Sequence, residues 1–268
     1  MTVPIIHVDT FVENGLRGNA AAVCALSGPA DVSWMQSIAH ELNVSETAFF
    51  YHGTNGFNLR WFSPRVEVDL CGHGTLAVAH VLRQQGYFTG QPAVHFSTRS
   101  GPLTARLQGE RIELDFPSLP QHETAPPLAL RKALGVPLKY VGTDGQDYLV
   151  ELDSEDTVRS LRLDFDVLST IEARAIIVTS VASSAEYDVV SRVFAPRLGI
   201  DEDPVTGSAH CCLGPFWMAK LRKKELIAYQ ASARGGVLRL RMNGERVYLS
   251  GKAVTVSSST VESFSATR

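Results

Sequence analysis

The sequence has little of what marks secreted, membrane-spanning or nucleic-acid-binding chains. Cysteine is sparse: Cys24, Cys71, Cys211 and Cys212 are the four in 268 residues. They show neither metal-ligand spacing nor a disulfide framework, so reduced thiols and a cytoplasmic setting are expected. No apolar run approaches the roughly 20 residues of a membrane helix. The start, Met1 to His7, lacks the charged, apolar pattern of a signal peptide. No long basic block is present, and the net charge is −3. That argues against nucleic acid as the main partner, because phosphate neutralisation needs clustered Lys and Arg. The one basic cluster, Arg222-Lys223-Lys224, follows a predicted helix, where positive charge complements the helix C-terminus. A P-loop, a dinucleotide fingerprint and a metal triad are all missing. The expectation is therefore no cofactor and no metal, and proton transfer by side chains is the simplest chemistry.

What the chain does contain is an internal duplication. Arg60-Trp61-Phe62-Ser63-Pro64-Arg65, running on to Cys71-Gly72-His73-Gly74-Thr75, recurs as Arg192-Val193-Phe194-Ala195-Pro196-Arg197, running on to Thr206-Gly207-Ser208-Ala209-His210. Downstream, Arg99, Gly101, Leu103, Arg106, Gly109, Glu110, Arg111 and Leu114 recur 135 residues later as Arg234, Gly236, Leu238, Arg241, Gly244, Glu245, Arg246 and Leu249. The upstream turn recurs after 132 residues (Pro64 to Pro196), so the second copy holds three extra residues between Arg197 and Thr206. A domain-sized period implies two copies of one α+β unit. The proline-rich stretch from Pro117 to Pro127 suggests halves at 1–118 and 119–268, with the final strand free to return to the first half.

Each copy reads as a strand, a turn and a small-residue loop opening a helix. The helix from Thr75 and the one from Gly207 are apolar on most sides, which predicts burial. Pro215 inside the second should kink it or remove a hydrogen bond. A pseudo-twofold would turn both helix N-termini towards one cleft, where unpaired N–H groups suit a small anionic substrate. The plainer alternative is that these are ordinary helix starts, capped by Thr206 and turned by glycine.

Three titratable residues are candidates for the chemistry: Glu46, His73 and Asp203. Glu46 is an acid at the lip of an apolar strand, a position that also suits a solvated strand end. His73 lies in the first turn of its helix, where the dipole should favour the neutral ring. Asp203 precedes Pro204 and also suits a helix-start acid. Cys71 faces Thr206 in the repeat, so a racemase with two thiol bases lacks its second thiol.

Arg17-Gly18-Asn19, Asn43 to Phe49, Cys71-Gly72-His73 and Glu202 to His210 together resemble the phenazine-biosynthesis PhzF-like isomerases. The resemblance runs nearly end to end. It implies the diaminopimelate-epimerase fold, with two pseudo-symmetric halves, each a curled, mostly antiparallel sheet around a central helix. It further implies a cofactor-free isomerase, usually a homodimer. In the phenazine enzyme a glutamate moves a proton along the ring of a dihydro-hydroxyanthranilic acid. By motif match that glutamate is Glu46, with His73 and Asp203 assisting. Gly72, Gly207 and Ser208 match positions lining the substrate carboxylate. Gly74 stands where many relatives carry alanine or proline. Two other readings stay open: an amino-acid epimerase using Glu46 with Asp203 or Cys71, and a non-enzymatic binding protein on the same fold.

Overall fold

The structure is a computed structural model and describes residues 2–262. Its elements, in chain order, begin with β1 (Thr2–Val12), β2 (Asn19–Ala25), α1 (Val32–Leu42), β3 (Glu46–Gly53), β4 (Gly56–Phe62), β5 (Glu67–Val68) and α2 (Gly72–Gln84). There follow β6 (Ala93–Thr98), β7 (Gly101–Gln108), β8 (Arg111–Pro117), β9 (His122–Glu123), α3 (Leu128–Leu134), β10 (Tyr140–Thr143) and β11 (Asp147–Glu151). Next come α4 (Glu155–Ser160), α5 (Phe165–Ser169), β12 (Ala175–Val181), β13 (Val189–Ala195), a single 3-10 turn at Pro196–Leu198 and β14 (Ile200–Asp203). The chain ends with α6 (Gly207–Leu221), β15 (Glu225–Gln230), β16 (Gly236–Asn243) and β17 (Arg246–Glu262). Two compact units result among the described residues: 2–115 with 250–262, and 116–249.

In the first unit β1 and β2 are antiparallel, β2 and β3 parallel, and β3 and β4 antiparallel. Then β4 pairs antiparallel with the short β5 and parallel with β6, and β6, β7 and β8 continue antiparallel. β17 pairs with both β8 and β1, which closes the strands into a barrel. Helix α2 packs on β1, β2 and β3, and every residue from Gly72 to Leu82 is buried. A surface helix could not be apolar all round; this one is covered on all sides. His80 on it accordingly finds a hydrogen-bond partner, Thr255 Oγ1 at 3.1 Å.

The second unit repeats the pairing order. β10 and β11 are antiparallel, β11 and β12 parallel, β12 and β13 antiparallel. β13 then pairs antiparallel with the short β14 and parallel with β15, and β15 pairs antiparallel with β16. The three extra residues lie in the β13–β14 connection: Trp61 opposes Val68 in one copy, Val193 opposes Asp203 in the other. Ser63 closes the shorter turn by accepting from the N–H groups of Arg65 and Val66, at 3.3 and 3.1 Å. Ala195 has no hydroxyl, and the 3-10 turn takes that place.

The duplication reaches the side chains. Arg60 grips Glu67 through two nitrogens, at 2.7 and 2.8 Å, and Arg192 grips Glu202 likewise, at 2.7 and 2.9 Å. Each fork fastens the short strand after the turn, β5 or β14, to its neighbour. Paired two-point contacts fix geometry as well as charge.

Pro215 sits inside α6 as the sequence suggests. Having no N–H, it cannot donate to the carbonyl of Cys211 four residues earlier. The N–H of Leu119 takes that acceptor at 3.0 Å, so the orphaned carbonyl is satisfied by the segment after β8.

Candidate active site

The parallel register of β2 and β3 sets Ala21 opposite Glu46, so Asn19, Ser45 and Glu46 gather at one end of the sheet. The N-terminus of α2 packs there and delivers Gly72 and His73. Glu46 Oε2 lies 2.7 Å from His73 Nε2, with side-chain exposures of 13% and 5%. Glu46 Oε2 nevertheless has no aligned hydrogen bond among the described residues. The contact is a close charge approach that leaves a buried carboxylate oxygen able to accept a proton or a donor.

Asn19 orients the ring. Its Oδ1 accepts from the Ser45 hydroxyl at 2.9 Å, which turns Nδ2 towards His73 Nδ1 at 3.4 Å. With the amide held this way, a neutral His73 carries its proton on Nε2, facing Glu46. Sequence reasoning expected the helix dipole to keep the ring neutral, and the structure reverses this. Burial opposes charge on His73, but the acidic groups of Cys71 and Glu46 outweigh it and hold its pKa well above the ordinary value.

The sign of the consequence follows. A histidine with a raised folded pKa contributes stability that is fully present below its unfolded value, 6.5, and lost as pH climbs through the folded value. Chemical denaturation of the wild type should therefore show stability falling as pH rises above 6.5, and His73→Gln should flatten that slope.

Cys71 is the N-cap of α2: its Sγ accepts from the N–H of Gly74 at 3.2 Å. The thiol also lies 3.6 Å from His73 Nδ1 and 3.9 Å from Nε2. Burial pushes the Cys71 pKa up, against the pull of His73. Gly74 has a packing reason to be glycine. A Cβ there would fall 2.8 Å from Trp61 Cδ1 and 3.0 Å from Cys71 Sγ. Gly74→Ala should cost about 1–3 kcal/mol through overpacking, read as a lower denaturant midpoint.

Asp203, Gly207 and Ser208 belong to the second unit. Asp203 ends β14, and its Oδ2 accepts from the Thr206 hydroxyl at 2.5 Å. Thr206 occupies the N-cap of α6 but makes no capping bond with its side chain. The side-chain cap that the plainer alternative assigned to Thr206 is thus not formed; the nearby carboxylate is the stronger acceptor. Gln230 braces the loop: its Oε1 accepts from Thr206 N–H and its Nε2 donates to the Asp203 carbonyl, at 2.8 and 2.7 Å. His210 donates from Nδ1 to the Thr206 carbonyl at 2.7 Å, as the Thr75 hydroxyl does to the Cys71 carbonyl at 2.6 Å. Burial pushes the pKa of His210 down to about 4, so that ring is neutral.

Neither α2 nor α6 has an acid in its own first turn; the carboxylates at the two helix starts, Glu46 and Asp203, come from β3 and β14. Sequence reasoning missed what supports Ser208. Arg174 donates from Nη1 to Ser208 Oγ at 3.1 Å and is held by a two-point pair with Asp147. With its oxygen accepting from a cation, the Ser208 hydroxyl is free to donate outward. Separations of 27 and 34 residues leave no local signal for this network.

Among the described residues, two groups of side chains bring three possible metal ligands within 4.8 Å of one another: Glu46, Cys71 and His73, and Asp144, Asp147 and Cys212. Residue spacing could not have shown the first, because its carboxylate comes from a different strand. No helix among the described residues is long and apolar enough to cross a membrane.

The profile of the family described as "Phenazine biosynthesis-like protein" matches residues 8–259. An uncharacterised isomerase of Halalkalibacterium halodurans is 51% identical over 96% of this chain and 97% of its own. A crystal structure of a PhzF-family phenazine biosynthesis protein from Enterococcus faecalis superposes with a TM-score of 0.91 at 38% identity, covering 98% of this chain and all of that one. A hydroxyproline epimerase from Agrobacterium vitis shares the fold alone, with a TM-score of 0.65 at 12% identity over 97% of this chain and 92% of its own. Fold and relatives together define an isomerase with an epimerase-like α+β architecture. The chain belongs to the phenazine biosynthesis-like family.

Proposed function

We propose that the protein is a cofactor-independent isomerase in which Glu46 moves a proton between two positions of a small unsaturated or cyclic carboxylic acid. The observation that carries this reading is the Glu46–His73 pair: a partly buried carboxylate, 2.7 Å from an imidazole, whose buried Oε2 lacks an aligned hydrogen bond. A general base needs an acceptor oxygen within reach of the substrate and a partner that steadies the charge. His73 is that partner, and its raised pKa equips it to stay charged beside the carboxylate while Glu46 takes and returns the proton.

In this reading Gly72 presents its N–H to the substrate, since its position in the first helical turn gives it no intrahelical acceptor. Asp203, Gly207 and Ser208 also serve the substrate, Asp203 as an assisting proton carrier and Ser208 as a hydroxyl donor to an anionic group. A homodimer is the assembly proposed from the family resemblance. A racemase with two thiol bases gains no support, because Cys71 is committed to capping α2 and its counterpart is Thr206.

The test is turnover of a panel of dienoic and cyclic carboxylic acids. Asp203→Asn should lower turnover at least about 100-fold, the usual contribution of a general acid or base, with the melting temperature nearly unchanged. Wild-type rates in that variant would remove Asp203 from the mechanism.

A further inference from the structure

We propose that Arg174 is a positioning residue for the substrate. It turns the Ser208 hydroxyl into a fixed donor, so the group that Ser208 meets is an acceptor oxygen, of a carboxylate or a carbonyl, and not an ammonium. The proposal rests on the isomerase reading above in taking Ser208 as a substrate contact.

A guanidinium has five N–H donors and no acceptor. In the 3.1 Å bond between Arg174 Nη1 and Ser208 Oγ, the serine oxygen must therefore accept. A serine hydroxyl otherwise rotates to donate or accept as its surroundings ask. Here one direction is taken, and the hydrogen points away from Arg174. Ser208 is half-buried at the start of α6, and its hydroxyl hydrogen has no acceptor among the described residues.

Arg174 is fixed from backbone to tip. Its N–H donates to the Gln146 carbonyl at 2.7 Å. Its Nε donates to Asp147 Oδ1 at 2.9 Å, and its Nη2 donates to Asp147 Oδ2. Asp147 is fully buried and accepts from the N–H of Ala175 at 3.1 Å. The guanidinium cannot follow the serine, so the serine follows the guanidinium.

The repeat supplies a parallel. Ser208 holds in the second copy the place of His73 in the first (208 − 73 = 135). Each is the second residue of its helix. Each also has a fixed amide or guanidinium nitrogen against it: Asn19 Nδ2 is 3.4 Å from His73 Nδ1, as Arg174 Nη1 is 3.1 Å from Ser208 Oγ. In both, a side chain from outside the helix sets the orientation of the polar group.

Titration calorimetry with benzoate and cyclohexanecarboxylate, cyclic acids, tests the role in binding alone. Arg174→Lys keeps a cation beside Asp147 but loses the rigid fork that reaches Ser208. Ser208→Ala removes the hydroxyl. Each should weaken binding about 10- to 100-fold, the worth of one hydrogen bond to a charged group. The double variant should bind no more weakly than the weaker single variant, because both changes remove the same contact. A merely structural Arg174 would instead multiply the two effects. Urea midpoints check folding. Should Arg174→Lys unfold, Asp147→Asn combined with Arg174→Gln removes both charges together and should weaken binding alike. Wild-type binding in Arg174→Lys, multiplied effects in the double variant, or no saturable binding of either acid to the wild type would overturn the proposal. The heat of binding does not depend on turnover. Coupled binding losses beside a fully active Glu46→Gln would sink the isomerase mechanism and leave Arg174 in place; an inactive Glu46→Gln beside uncoupled losses would do the reverse.

Discussion

Glu46→Gln should melt like the wild type and turn over at least about 100-fold, and up to about 10,000-fold, more slowly, the range that general acid–base groups contribute. Glutamine keeps the size of the side chain and can still donate or accept beside His73, so little packing is lost. What it cannot do is take a proton. The separation of effects matters because Glu46 opens β3, beside a buried helix start where a larger change would disturb structure and chemistry together. A variant that unfolds would show Glu46 to be a structural acid; one that keeps full turnover would show it to be a bystander.

The largest expected loss of stability comes from Asp147→Ala. Asp147 is fully buried at the start of β11. It holds Arg174 by two points and accepts from the N–H of Ala175. Removing it strands a partly buried guanidinium and an N–H at once. Breaking a buried pair from one side typically costs about 3–5 kcal/mol. The check is the urea midpoint, which should fall steeply. Arg174 would also lose its anchor beneath Ser208, so folded protein should show weakened binding of anionic substrates. An unchanged midpoint would mean that Arg174 finds another partner and that the pair is dispensable.

Much of this architecture is legible in the chain because duplication writes it twice. The Arg-x-Phe-small-Pro-Arg turn, the glycine-opened helix and the hairpins after it recur at fixed offsets, and the two pairing orders of the sheet match. The burial of α2 and α6 follows from apolar residues on every side. Pro215 announces an orphaned carbonyl, although only the fold reveals that Leu119 satisfies it. The site was legible as residue types at helix starts. Their state was not. The raised pKa of His73 comes, against burial, from Cys71 at its own helix start together with a carboxylate brought from β3 by the parallel register. Thr206 has the residue type of a cap, yet its hydroxyl is claimed by Asp203 three residues earlier. The Arg174–Asp147–Ser208 network joins elements with no common motif, and long-range ion pairs leave no periodic trace.

The central claim is that Glu46 exchanges a substrate proton. Proton NMR in deuterated water, with wild type and Glu46→Gln side by side on dihydro-hydroxyanthranilate, dienoic acids and common amino acids, tests it most directly. The account predicts deuterium at the carbon that receives the proton, in one unsaturated or cyclic carboxylic acid, with the wild type only. Equal deuterium uptake with both proteins would contradict it.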